Sequence, residues 1–152
     1  TIMVLALLLL AKNYYDDYKF KHNEIPKSYK DRIYNKKQEI MAKMKREYGY
    51  SIDVPIVVTD KFKNRLYGLT SYNSGSITIY LNKNIMRESI DYMVESVIAH
   101  EYAHALMFKR GYVDVEHNGH SNEWRSTCNK LGGLNCSQYV NSKDVIMGKL
   151  PF

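Results

Sequence analysis

Cysteine is scarce in this 152-residue chain, with Cys128 and Cys136 the only two. They make no C-x-x-C pair, so neither a zinc ribbon nor a redox dithiol motif is present. Two free thiols in a reducing compartment are the expectation, which favours the cytoplasm; a single disulfide is the alternative. The chain also lacks any apolar run of membrane-spanning length. The longest, Ile2 to Ala11 (IMVLALLLLA), is too short to cross a bilayer as a helix. It resembles the apolar part of a signal peptide, yet no Lys or Arg precedes it and no clear A-x-A site follows. A hydrophobic N-terminal segment that anchors or docks is expected here, in contact with a membrane or an assembly through residues 2–11. There is no internal repeat and no low-complexity tract, which excludes solenoids and arrays.

The bulk composition is that of an ordinary globular domain, 45% hydrophobic and 25% charged. Net charge is +6 and pI about 9.2. That balance permits an anionic partner such as nucleic acid or a membrane surface, although a solvated Lys-rich exterior is the plainer explanation. Tyr is abundant at 14 residues against one Trp. Tyrosines stack on bases, and they also serve as core residues with one wet edge.

The spacing of apolar residues predicts an α+β fold. Lys12 to Lys27 is polar and tyrosine-rich, and reads as a connector. Ile33, Ile40, Met41, Met44 and Tyr48 make an apolar stripe over a helix from Tyr29 to Tyr48, with Ser28 as N-cap and Gly49 as terminator. Three strands are expected: Val54 to Thr59, Arg65 to Tyr72 and Ser76 to Leu81. The last two form a hairpin about Asn73-Ser74-Gly75. A long helix follows, about Ser89 to Lys109, whose core face carries Ile90, Met93, Val94, Val97, Ile98 and Ala105. A shorter helix runs from about Ser121 to Leu131, with Trp124, Cys128 and Leu131 facing the core and Gly132-Gly133 closing it. The expected organisation is an apolar segment and connector over 1–27, a domain over 28–140 and a C-terminal tail over 141–152.

Within the long helix stands His100-Glu101-Tyr102-Ala103-His104, an H-E-x-x-H sequence. Its chance occurrence in a chain of this composition has a probability on the order of one percent. Residues four apart share a helix face, so two imidazoles can grip one metal ion while Glu101 acts on water. Two unrelated histidines on a core helix would leave that polar triplet beside an apolar stripe unexplained. Zinc hydrolases use three protein ligands, and the candidates for the third are His117, His120, Glu116 and Glu123. His120 is preferred: Gly119 supplies a sharp turn before it, and Trp124 one turn on can pin the next helix to the core. His117 is the runner-up. Glu123 either orients a ligand histidine or is a solvated carboxylate. His22 has no ligand partner near it and reads as a surface residue.

With these motifs in order, the chain resembles the SprT-like zinc metalloproteases, the family that includes the Spartan DNA–protein crosslink proteases. Leu66 to Met86 resembles the family's strand-turn-strand, and Val97 to Phe108 its active-site helix. Gly119 to Trp124 resembles the segment carrying the third zinc ligand, and Leu131 to Asn135 the small-residue turn after the last helix. Together they span roughly Tyr29 to Tyr139. The resemblance implies a zincin-like minimal metalloprotease domain: an N-terminal helix, a three-stranded sheet, an active-site helix and a C-terminal helix. It implies Zn2+ on His100, His104 and His120, Glu101 as the catalytic residue, and a protein or peptide substrate held as an added strand by the hairpin's outer strand. Ser121 stands where the family often has Gly, and no cysteine-rich ribbon follows. Two other functions compete with a zinc endopeptidase. One is a DNA-associated protease or binding module using the basic surface for nucleic acid. The other is a structural or interaction protein that retains a zinc site.

Overall fold

The computed structural model describes residues 1–112, 117–137, 145–148 and 150. The first helix, α1 (Ile2–His22), runs unbroken through both the apolar segment and the stretch expected as a connector. Nothing in Lys12 to His22 breaks a helix, and an Asp17–Lys21 pair one turn apart supports it. Helix α2 (Lys27–Tyr48) starts after Pro26, so Ser28 lies inside the first turn rather than capping it. Proline suits that entry because the first N–H groups of a helix have no partner to lose. The stripe packs as expected, with Ile33, Ile40 and Met44 buried, and Gly49 ends the helix in a left-handed conformation (φ 80°).

Strands β1 (Ile56–Thr59), β2 (Gly68–Asn73) and β3 (Ser76–Asn82) form the expected set, each starting or ending within a few residues of its predicted bounds. β2 and β3 pair antiparallel with Asn73 opposite Ser76, and the turn between them places Ser74 and Gly75 both at positive φ. Such a turn matches the strand twist and favours glycine. Arg65 to Tyr67, expected as strand, instead belongs to the incoming loop. Buried Asn82 holds it: its Nδ2 donates to the carbonyls of Leu66 (2.8 Å) and Asn64 (3.3 Å). Sequence reading assigned three strands, whereas the sheet has four, ordered β1-β3-β2-β4. The added strand, β4 (Val145–Met147), lies in the stretch read as a tail. It pairs parallel with β2, Thr70 opposite Val145 and Tyr72 opposite Met147.

The long helix is composite. A 3₁₀ turn (Lys83–Ile85) leads into α3 (Met86–Tyr92), then a π-helical segment (Met93–Val97), then α4 (Ile98–Lys109). The π segment widens the turn just before His100, a feature frequent beside functional sites. Every residue of α4 from Ile98 to Phe108 is buried. The cause is its central place, with β2 and β3 on one side and α2 and α5 (Asn122–Lys130) on others. A helix so enclosed has no solvent face, so a polar residue on it must be satisfied by neighbours or serve a ligand.

The cysteines are not free thiols. Cys128 on α5 is bonded to Cys136 in the loop beyond it. The chain reverses through Gly132 (φ 87°), and the Gly133 amide donates to the Cys128 carbonyl at 2.9 Å. Gly133 has no room for a side chain, since a Cβ there would lie 2.6 and 2.7 Å from the two sulfurs. With the disulfide formed, the argument for a reducing compartment falls away. Among the described residues, no helix is long and apolar enough to cross a membrane.

Candidate metal centre

α4 presents His100 and His104 on one face, four residues apart, both buried. The third group comes from a different element. Asn118 (φ 51°) and Gly119 (φ 83°) are both left-handed, and the His120 amide donates to the His117 carbonyl at 2.9 Å. This tight turn drives the buried His120 ring toward α4. Ser121 then caps α5, its Oγ accepting from the Trp124 amide at 3.1 Å. A Gly at that position would satisfy no such amide, so the serine has a local structural reason.

The three Nε2 atoms form a near-equilateral triangle: His100 to His104 3.3 Å, His104 to His120 3.2 Å, His100 to His120 3.2 Å. Each Nε2 carries one lone pair or one hydrogen in its ring plane. Three such atoms cannot all hydrogen-bond one another around a ring this small, whereas all three can aim at a common centre. The group could hold a metal ion. Trp124, fully buried, forms its floor. The indole lies edge-on to His100 (4.6 Å between centroids) and His120 (4.5 Å) and stacks on His104 (5.0 Å, 23°). The large aromatic fixes the ring orientations by packing alone.

The other candidates lie elsewhere. His117 and Glu123 are exposed and outside the triangle, Glu116 falls outside the described residues, and His22 is on the surface, its Nδ1 2.8 Å from the Tyr18 carbonyl. A shallow pocket of about 280 Å³ adjoins the triangle, lined by His117, His120, Ser121, Asn122, Glu123 and Arg125.

Glu101 is buried at 2% exposure, and its surroundings were not foreseen from sequence. Thr70 on β2, fully buried, places its Oγ1 2.7 Å from Glu101 Oε2 and 3.0 Å from the Glu101 carbonyl. A hydroxyl donating to a carboxylate holds it in one orientation. Gly68 allows the approach: a Cβ there would meet Val97 Cγ1 at 3.0 Å, the Tyr80 carbonyl at 3.1 Å and Glu101 Cγ at 3.2 Å. Both residues sit in a hairpin that reads as ordinary strand, and a glycine opening a strand is the one sequence sign of close backbone approach. Tyr102 takes no part in the centre. Burial pushes its phenol up to about 12, and Asp53 adds to this against the opposing Val54 backbone hydrogen bond. Its hydroxyl accepts from the Val54 amide (3.1 Å) and lies 3.4 Å from the Val54 carbonyl, tying α4 to the lead-in of β1.

No curated protein and no solved structure matches the chain. A family model does, over residues 33–144, a span that holds most of α2, strands β1–β3, the composite helix with its H-E-x-x-H, the His120 turn and α5. The chain therefore belongs to the SprT-like family.

Proposed function

We propose that the protein is a zinc-dependent endopeptidase of zincin type, with His100, His104 and His120 as ligands and Glu101 as general base. The observation that carries this reading is the imidazole triangle. Zinc–nitrogen bonds of about 2.0–2.1 Å in tetrahedral geometry separate ligand atoms by about 3.3–3.4 Å, close to the 3.2–3.3 Å between the three Nε2 atoms. Three neutral nitrogen donors suit zinc and leave a fourth position for the reacting group. Membership of the SprT-like family points the same way.

Zinc, when bound, supplies Lewis acidity that acidifies water and polarises the scissile carbonyl. The remaining work falls to the chain's own groups. Glu101 takes the proton from the attacking water and returns it to the departing amine. Thr70 keeps the carboxylate turned toward one orientation. Trp124 keeps water from the rear of the imidazoles and holds their planes. The substrate edge differs from the simple expectation: β4 already occupies the outer edge of β2 along Thr70–Tyr72. An extended peptide would enter beside Gly68 and Leu69 or replace β4.

Metal analysis and a casein or fluorogenic-peptide assay test the proposal. Purified protein should carry about one zinc per chain, and a chelator should abolish cleavage. Glu101→Gln should retain the zinc and lose cleavage by at least about a hundredfold. Equal cleavage by the two proteins, or zinc retained after His100→Ala and His120→Ala, refutes the assignment.

A further inference from the structure

Among the described residues, the outer half of α1 has no counterpart to pack on. Every large apolar residue from Ile2 to Leu10 is between 51% and 89% exposed. At about 100° per residue these positions sample all sides of the helix, so the apolar surface is a cylinder, not a stripe. A protein groove covers one face of an amphipathic helix; a cylinder is satisfied only by a surrounding medium. The inner half is fastened to the domain. Arg87 donates to the Asn13 side chain (2.9 Å) and pairs with Asp17 (3.5 Å). Lys83 donates to the carbonyls of Lys21 (3.0 Å) and Asn23 (2.7 Å), and Phe20 is buried near Tyr29. The apolar end therefore projects from a fixed base.

The chemistry changes sharply along the helix axis. Ile2 to Ala11 holds no charged or hydrogen-bonding side chain, and Lys12 is the first. Tyr14, Tyr15 and Tyr18 follow, 76%, 59% and 52% exposed, with the Lys19 ammonium 5.6 Å from the Tyr15 ring centre. An apolar cylinder followed by exposed tyrosines set between Lys12 and Lys19 is the order of a helix entering lipid, with aromatic rings and ammonium groups at headgroup level. Ile2 to Ala11 rise about 15 Å along the helix axis. We propose that α1 inserts its Ile2–Ala11 end into the apolar interior of a phospholipid bilayer and holds the domain at the membrane surface. The proposal is independent of the peptidase reading.

Flotation of the 152-residue chain with phosphatidylcholine–phosphatidylglycerol vesicles tests it. The protein should float with the vesicles in dilute buffer and also in about 1 M salt, where the screening length is only about 3 Å. Glu101→Gln should float like the wild type. Leu5→Glu with Leu8→Glu should lower the vesicle partition coefficient about a hundredfold per charge. Since both side chains are exposed, circular dichroism and Tm of that variant should match the wild type. Failure of the wild type to float overturns the proposal. Flotation lost in high salt also overturns it, because mere adsorption of a basic surface would behave that way. A lipid-free oligomer that the double variant converts to monomer, with no vesicle binding by the wild type, would assign the cylinder to further copies of the chain and equally overturn it.

Discussion

Replacing Thr70 by Val removes one hydroxyl and leaves the shape nearly unchanged, which isolates how Glu101 is held. Thr70 Oγ1 lies 2.7 Å from Glu101 Oε2, the donor is fully buried and the acceptor 2% exposed. Water is thus poorly placed to substitute. A hydrogen bond to a charged group contributes about 1.5–3 kcal/mol net, so the variant should lose about that much stability in urea. If the bond also orients the carboxylate for proton transfer, the same energy appears in the barrier, and kcat falls about 10- to 150-fold. KM should change little, and zinc content should stay at one per chain, because the triangle is made by the three imidazoles and not by Thr70. Thr70→Ser, which keeps the hydroxyl, should recover most of the rate. On a Glu101→Gln background Thr70→Val should slow cleavage no further, since two groups acting through one step are not additive. Steady-state kinetics with zinc quantified on the same samples decides it. A Thr70→Val enzyme with wild-type kcat and full zinc would refute the positioning role, and zinc loss would show that Thr70 supports the metal instead.

Gly68→Ala should push β2 away from Val97 and Glu101, costing about 1–3 kcal/mol of stability and slowing cleavage; unchanged Tm and rate would mean the strand shifts freely. Cys128→Ser, or reduction of the native protein, should lower stability by about 2–3 kcal/mol from restored chain entropy, and equal urea midpoints for the oxidised and reduced forms would contradict this. Deleting residues 145–152 should free the outer edge of β2 and lower KM for an extended peptide several-fold, whereas a raised KM would show that β4 builds the site rather than screens it.

The histidine cluster that could hold a metal was legible because its spacing is local. His100 and His104 sit one helical turn apart, so a helix alone brings them together, and the Gly119 turn and the Trp124 one turn after His120 are read within a few positions. The hairpin was visible for the same reason, through Ser74-Gly75 and the alternation of Ile77, Ile79 and Leu81. The 3₁₀ turn at Lys83–Ile85 and the π segment at Met93–Val97 were not, because helical periodicity tolerates one extra residue. Pro26 displaced the expected cap at Ser28 by a rule as local as capping itself.

The sequence by itself determined that an α+β chain would carry two histidines and a glutamate on one buried helix, with four acidic or histidine groups downstream as candidates for a third ligand. Sequence preferred His120 among them, and the tertiary structure brings its ring to His100 across 20 positions, with Trp124 of α5 packed against the imidazoles. Thr70 meets Glu101 across 31 positions, and β4 returns to β2 from about 75 positions beyond it. The Cys128–Cys136 bond formed where sequence favoured free thiols, since the loop through Gly132 and Gly133 brings the two sulfurs together. Contacts at such separations depend on how whole elements stack, and no local pattern encodes them.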